Sequence, residues 1–459
     1  MRNALTIFLG ALLGVAILWA CLAVTGVAGQ RQLFYGEGRE ELFDYWMPRM
    51  CLEQGYRTAK CADWGLDDKA AWQMGYAPDR EGEISLSGWY QTPAGQRVFI
   101  TGNRDKVYPA FALLPLKFFP ATRAGAYSWS IFAGLIFLAS LVLCAQREKA
   151  DGRASYWPLV LGLSMPFLFN LERGNPIWLS AAAVGVFLAW WDADSPIRRG
   201  VAAICLGVAA VLKIAPAVLG VLYLARLIHA TRAQRRDILV AIVLSAGTAL
   251  ILFGGSWFFV PEKFGAIPLM MENAAHHADT VRRQADFGLI AVWRALRILL
   301  HQDVQSFWPG LKLVAFVSQG LGVLALLYGA IKRNYILVIG GLLLAAGNMY
   351  YYAALYLLPV FVLQRPRLRL EWPLWFLIVC PFQLIVFGHP SNAILCNLSL
   401  FALMLLQLYP EQTQTLEPPP TQTLEPPPTQ TLEHFLPGFY LCHFLCYNNS
   451  LNFSQGQKK

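Results

Sequence analysis

AICLGVAAVLKIAPAVLG, residues 203–220, is apolar throughout except for Lys213. It reads either as one long helix kinked at Pro216 or as two short helices that meet at Lys213. The flanks decide. Arg198 and Arg199 precede the stretch, and Arg226, Arg232, Arg235 and Arg236 follow it. Short loops rich in Lys and Arg stay on the cytoplasmic side of a membrane. Both flanks then lie on one side, and the chain turns back at Lys213. The same argument folds 335–349 and 351–364 into a pair, between Lys332-Arg333 and the group Arg365, Arg367 and Arg369.

Working outward, further apolar runs occur at 4–26, 127–145, 156–170, 176–191, 238–260, 311–331, 372–388 and 393–409. With the two pairs they predict an all-α polytopic membrane protein of about twelve spans. Arg2 precedes the first run, which is too long for a typical signal core. It reads as a retained anchor with the N-terminus in the cytoplasm of a cell whose inner membrane holds the chain. Arg147, Lys149 and Arg153 extend the basic set to another inner loop.

The alternate connections carry the unusual chemistry: Asp44, Tyr108-Pro109, Glu172-Arg173-Gly174-Asn175, His276-His277 and Arg282-Arg283. All of it meets on the extracytoplasmic face. Residues 27–107 form a large first extracytoplasmic loop and 261–310 a second. Within the first, ELFDYWMPRMCLEQG (41–55) has a helical pattern, stopped at Pro48 or carried past it. YPAFALLPLKFFP (108–120) is apolar but too short to cross and holds three prolines, which fits a re-entrant or interfacial piece.

Apolar residues make up 56% of the chain and charged ones 14%, which excludes an ordinary soluble domain and a disordered chain. The net charge of +9 sits mostly in short loops, so membrane orientation and anionic headgroups account for it, and no nucleic acid partner is implied. Cys51 and Cys61 share the first outer loop, either as a disulfide in an oxidising compartment or as separate thiols. Cys442, His443 and Cys446 are too isolated for a zinc site. From 411 onward TQTLEPPP occurs twice and TQTLE once more. This composition cannot bury a core, so residues 1–410 form the membrane domain and 411–459 a low-complexity tail.

Each candidate residue has a functional and a plain reading. Asp44, among aromatic residues at the membrane surface, suits a general base, or else a helix cap or a partner for Arg49. Glu40, Glu41, Glu53 and Asp63 compete with it. An ionised Lys213 within a bilayer costs on the order of 3 kcal/mol. It suits a lipid-linked phosphate, or it snorkels to the interface. Glu172 and Arg173 mark the mouth of the bundle, or form a plain ion pair. Arg282 and Arg283 suit phosphate and His277 suits proton donation to it, against a solvated amphipathic helix. Adjacent histidines without HExxH or similar spacing give no metal site. Tyr351, in a Tyr cluster, suits a sugar site or an interfacial belt.

The order of these features resembles glycosyltransferase family 87, integral-membrane enzymes of the GT-C superfamily. The resemblance rests on Asp44 after the first helix, Tyr108-Pro109, Gly174-Asn175 before a helix, and Lys213-Ile-Ala-Pro216 in a Gly/Ala-rich segment. It spans about residues 4–409. Tyr108-Pro109-Ala110 departs from the family's Tyr-Pro-Pro, and Glu172-Arg173-Gly174-Asn175 from its Gly-Gln-x-Asn, which leaves the sugar open.

The resemblance implies inverting transfer of a mannose-like sugar from a polyprenyl-phosphate donor to a glycan or lipid acceptor. It implies Asp44 as base and Lys213 on the donor phosphate, joined by Arg282, Arg283 and His277. Tyr108, Glu172, Arg173, Asn175 and Tyr351 are the expected substrate pocket. No cofactor or metal is called for, since fixed cations can hold the departing phosphate. The rival classes are an O-antigen polymerase or ligase relying on 261–310, and a lipid-linked-sugar transporter or flippase. A transporter calls for related halves, and no internal repeat is evident.

Overall fold

A computed structural model of the chain describes residues 43–57, 88–91, 97–100, 106–147, 164–280, 288–300, 308–346, 351–364, 370–379 and 390–408. The expected first span, Cys61, Arg282, Arg283 and the tail lie outside the described residues. So do residues 148–163, the start of the expected 156–170 span.

Helix dominates. In chain order the helices are α1 (Phe43–Gln54), α2 (Ala110–Leu113), α3 (Arg123–Arg147), α4 (Met165–Arg173), α5 (Ile177–Trp190), α6 (Pro196–Leu212), α7 (Val221–Ile228) and α8 (Arg232–Ser256). They continue as α9 (Ala266–Thr280), α10 (Leu289–Leu299), α11 (Trp308–Lys332), α12 (Tyr335–Ala345), α13 (Leu357–Leu363), α14 (Glu371–Val379) and α15 (Pro390–Leu406). Among the described residues three apolar helices are long enough to cross a membrane: Arg123–Arg147, Arg232–Phe259 and Leu313–Lys332. The remaining apolar helices among the described residues are shorter.

The large loop departs from the all-α expectation. Strand β1 (Gly88–Gln91) pairs antiparallel with β2 (Arg97–Ile100), Gly88 opposite Ile100. Aromatic and β-branched residues, Trp89 and Tyr90 in one strand and Val98, Phe99 and Ile100 in the other, favour extended backbone there. Helix α1 runs on through Pro48. The 108–120 piece is the single turn of α2 followed by a 3-10 segment, Leu114–Phe118. Its prolines keep it too short to span.

Helix starts at the basic end are capped by the residues that the sequence places there. The Ser195 hydroxyl accepts from the Arg198 amide at 3.5 Å, one residue before Pro196. Thr231 and Gln234 form a reciprocal capping box, and Asn334 accepts from the Leu337 amide at 3.1 Å. These oxygens satisfy amides that have no intrahelical acceptor.

Side chains from distant segments knit that end together. Arg147 pairs with Asp192 at 2.9 Å, and the Trp191 indole donates to the Tyr335 hydroxyl at 3.0 Å. The Ile336 amide donates to Gln364 at 2.9 Å, and Gln407 donates to Glu371 at 3.0 Å. Arg198 lies over Trp190 and Arg226 over Trp191. Both flanks of the 203–220 stretch therefore lie at one end of the bundle, and so do both flanks of the 335–364 pair. The turn-back at Lys213 holds: α6 ends there, and a 3-10 segment, Ala215–Gly220, leads into α7.

The core is built from small residues and buried aromatics. A Cβ added at Gly341 would stand 2.6 Å from the Gly322 carbonyl, and one at Gly322 would stand 2.4 Å from the Ala345 amide. Glycine at both positions lets α11 and α12 touch backbone to backbone. Trp129, Trp178, Trp191, Trp257 and Trp375 are fully buried. By contrast Leu239, Val240, Val243, Leu250 and Ile251 on α8 are each more than half exposed, the surface that acyl chains would cover.

Candidate functional site

The end of the bundle away from the basic residues is organised around Tyr108. Residue 213 leaves α6 in extended conformation, φ −148° and ψ 124°, after its amide closes the last helical bond to Ala209 at 3.0 Å. This break swings the side chain off the helix. The Lys213 ammonium stands 4.1 Å from the centroid of the Tyr108 ring. A cation over an aromatic face at that distance is attracted by the ring quadrupole, which gives a half-buried Lys a seat.

Asn175 reaches the hydroxyl of the same tyrosine. Its Nδ2 donates to the Tyr108 hydroxyl at 3.3 Å, while its Oδ1 accepts from the Ile177 amide at 2.9 Å and caps α5. Both atoms of a fully buried amide are thus used. The turn that carries it is locked by Gly174, left-handed at φ 67°, whose carbonyl accepts from the Trp129 indole at 2.7 Å.

The first loop closes over the backbone of Tyr108. The Tyr56 hydroxyl donates to the Tyr108 carbonyl. The amides of Tyr56 and Arg57 donate to a single Glu262 oxygen at 2.8 and 3.0 Å. The Lys106 ammonium, 1% exposed, donates to the Arg57 carbonyl at 2.5 Å. Asn273 on α9 donates to the Tyr56 carbonyl at 3.5 Å. Burial pushes the Tyr56 phenol well above the usual tyrosine range, and the nearby Cys51 and Glu262 push the same way. Tyr45 is also raised by burial, with the Arg49 cation opposing. Its hydroxyl donates to the Pro120 carbonyl at 2.9 Å.

Of the residues expected in the site, three are brought into contact: Tyr108, Asn175 and Lys213. Asp44 lies in the first turn of α1, beside the anchored Tyr45. Helix α1 packs against α2 and the 3-10 segment that follows it, and α6 packs against α2 as well. The backbones carrying Asp44 and Lys213 therefore flank one short piece. Arg49, the alternative partner for Asp44, pairs with Glu53 at 3.1 Å. Arg173 is half-buried at the end of α4, with Glu172 before it. His277 lies on α9, and Tyr351 opens the 3-10 segment Tyr351–Tyr356. The side chains of Asp44, Glu172, His277 and Tyr351 are outside the described residues.

Sequence reasoning passed over Tyr56, Lys106, Glu262 and Asn273. Lys106 carried a faint signal, a charge two residues before Tyr108-Pro109. The other three are ordinary loop residues whose placement depends on contacts between the two outer loops.

A model of glycosyltransferase family 87 matches residues 107–346, more than half of the chain. The chain belongs to glycosyltransferase family 87. It is a membrane glycosyltransferase, acting between a sugar donor and an acceptor. The matched region of this family 87 member contains Tyr108, Asn175 and Lys213, whereas Asp44 and Tyr351 fall outside it. Comparison with curated proteins and with solved structures gave no match.

Proposed function

We propose that this family 87 enzyme moves a mannose-like sugar, with inversion, from a polyprenyl-phosphate donor to a glycan or lipid acceptor. The reaction takes place at the extracytoplasmic face of the inner membrane, the N-terminus is cytoplasmic, and residues 1–410 form a GT-C-like domain of about twelve spans. The observation that carries this reading is Lys213 at a helix break, seated on Tyr108 at the end opposite the basic loops.

In the proposed reaction Asp44 takes the proton of the acceptor hydroxyl. The hydroxyl oxygen bonds to the anomeric carbon from the face opposite the phosphate. The bond from that carbon to the phosphate oxygen breaks, and its electron pair leaves with the polyprenyl phosphate. Lys213 stabilises that anion as it forms, with Arg282, Arg283 and His277 of the second outer loop contributing. A cation already seated at the site needs little reorganisation to do this. Tyr108, Glu172, Arg173, Asn175 and Tyr351 line the sugar pocket. The isoprenoid lies along the exposed apolar helices.

The test uses full-length protein in nanodiscs and a set of polyprenyl-phosphate sugars. Lys213→Met should lose transfer and weaken donor binding. Asp44→Asn should lose transfer on the order of a hundredfold while still binding donor. Wild-type-like transfer by Asp44→Asn would remove Asp44 as base. Donor crossing the bilayer without any transfer would favour the transporter reading.

A further inference from the structure

A second site lies at the basic end of the bundle, away from Lys213 and Tyr108, and its argument does not rest on the sugar-transfer reading. A cavity of about 100 Å³ is lined by Trp191, Arg226, His229, Gln234 and Arg333 among others. Among the described residues no acidic side chain lines it; Glu371, in a further cavity that Arg333 also lines, accepts from Gln407 at 3.0 Å. A neighbouring cavity of about 170 Å³ shares the walls Trp191, Arg226 and Gln234 and adds Tyr223. Its two carboxylates do not neutralise Arg226: Asp237 pairs with Arg199 at 2.8 Å, and Asp194 is at the exposed rim.

Three features mark this place. First, Arg226 is half-buried against the Trp191 ring, 5.8 Å from its centroid, and has no ion pair or hydrogen bond among the described residues. Second, the Tyr223 hydroxyl has no hydrogen-bond partner among the described residues, although Tyr223 is 2% exposed. A buried hydroxyl without a partner loses its hydration without return. Third, Arg333 occupies a left-handed position, φ 53°, at the end of α11. Glycine or asparagine is usual at such a helix end, and an arginine held there breaks a local rule in the way functional residues do.

We propose that Arg226 and Arg333 bind a phosphate group, with Tyr223 and His229 as further donors, and that the phosphate is the headgroup of an anionic phospholipid. Ile331 lines this cavity and is 53% exposed, and Ile228, next to His229, is 63% exposed, so apolar surface suited to acyl chains borders the cavity. Guanidinium groups match phosphate oxygens in charge and geometry.

The experiment is native mass spectrometry of the full-length protein with phosphatidylglycerol in a neutral detergent. A second arm adds inorganic phosphate as competitor. Wild type should retain a phosphatidylglycerol that Arg226→Gln and Arg333→Gly bind on the order of tenfold more weakly. Arg333→Gly should fold at least as well, because glycine suits the left-handed position. Tyr223→Phe should also bind more weakly and keep its fold, since it deletes a group without a protein partner. Displacement by millimolar inorganic phosphate, lost in Arg226→Gln, would keep the phosphate site but reassign its source to a soluble ion. Equal retention by wild type, Arg226→Gln and Arg333→Gly would overturn the proposal. So would an equal loss in Arg198→Gln, an exposed arginine at the same end outside the cavity, which would reduce the effect to general surface charge.

Discussion

The Lys213 ammonium and the Tyr108 ring face each other at 4.1 Å, and this contact joins the break after α6 to the short piece that opens α2. It converts an isolated charge at a helix end into a seated one. The contact also separates two roles of Tyr108, its aromatic face and its hydroxyl. Tyr108→Phe keeps the face and drops the Asn175 bond, so transfer should fall only a few-fold. Tyr108→Leu removes the face, and transfer should fall on the order of tenfold. Initial rates at saturating donor distinguish the two, and equal losses would show that the ring face contributes nothing.

Asn175 serves the fold as well as the ring. Asn175→Ala abandons the Tyr108 hydroxyl and the Ile177 amide together, both in a buried place. A loss of about 1–3 kcal/mol in stability is expected. Asn175→Ser keeps a short oxygen acceptor for the Ile177 amide and loses the bond to Tyr108. It should unfold at a temperature between Ala and wild type in a detergent melting assay.

Glu262 ties the second outer loop to the first through the Tyr56 and Arg57 amides. Glu262→Gln retains an oxygen acceptor for them, whereas Glu262→Ala does not. Limited proteolysis should cut Glu262→Ala faster between residues 56 and 106, with Glu262→Gln close to wild type. The same cutting rate in all three would mean the first loop is held by other contacts.

The pH response follows from Tyr56. Its folded phenol titrates above its unfolded value because burial disfavours the phenolate. The folded state therefore holds the proton more tightly, and this contribution to stability is fully present below about pH 10. It is lost as pH rises from there through the folded value. Wild type should lose stability over that alkaline range, and Tyr56→Phe should lose less over the same range. Parallel curves for the two proteins would count against the argument.

Much of the layout could be read from residue order. Arg198-Arg199 with Arg226, and Lys332-Arg333 with Arg365, forced two turn-backs, because charge near helix ends responds to the membrane and not to distant partners. The structure bears out the turn at Lys213, and for the second pair it brings Gln364 to the Ile336 amide; Arg365 lies outside the described residues. Tyr108, Asn175 and Lys213 were each readable as odd residues in outer turns. Their mutual contact was not, since it depends on how α2, α5 and α6 pack. The β1–β2 ribbon was missed because four-residue strands in a polar loop give too few positions for a period to show. Glu262 and Tyr56 were missed for a different reason: nothing local distinguishes a carboxylate that caps another loop from one that faces solvent.

What the sequence determined by itself is the membrane class, the turn-back at Lys213 and the shared end of Tyr108, Asn175 and Lys213. These follow from hydropathy and charge, which act through solvent and lipid and need no knowledge of neighbours. Tertiary structure alone decided that Lys213 rests on Tyr108, that Glu262 holds the first loop, and that Arg226 and Arg333 share a cavity. Such contacts join residues far apart along the chain. Their geometry is set by helix packing at a scale of a few ångströms, which no one-dimensional pattern encodes.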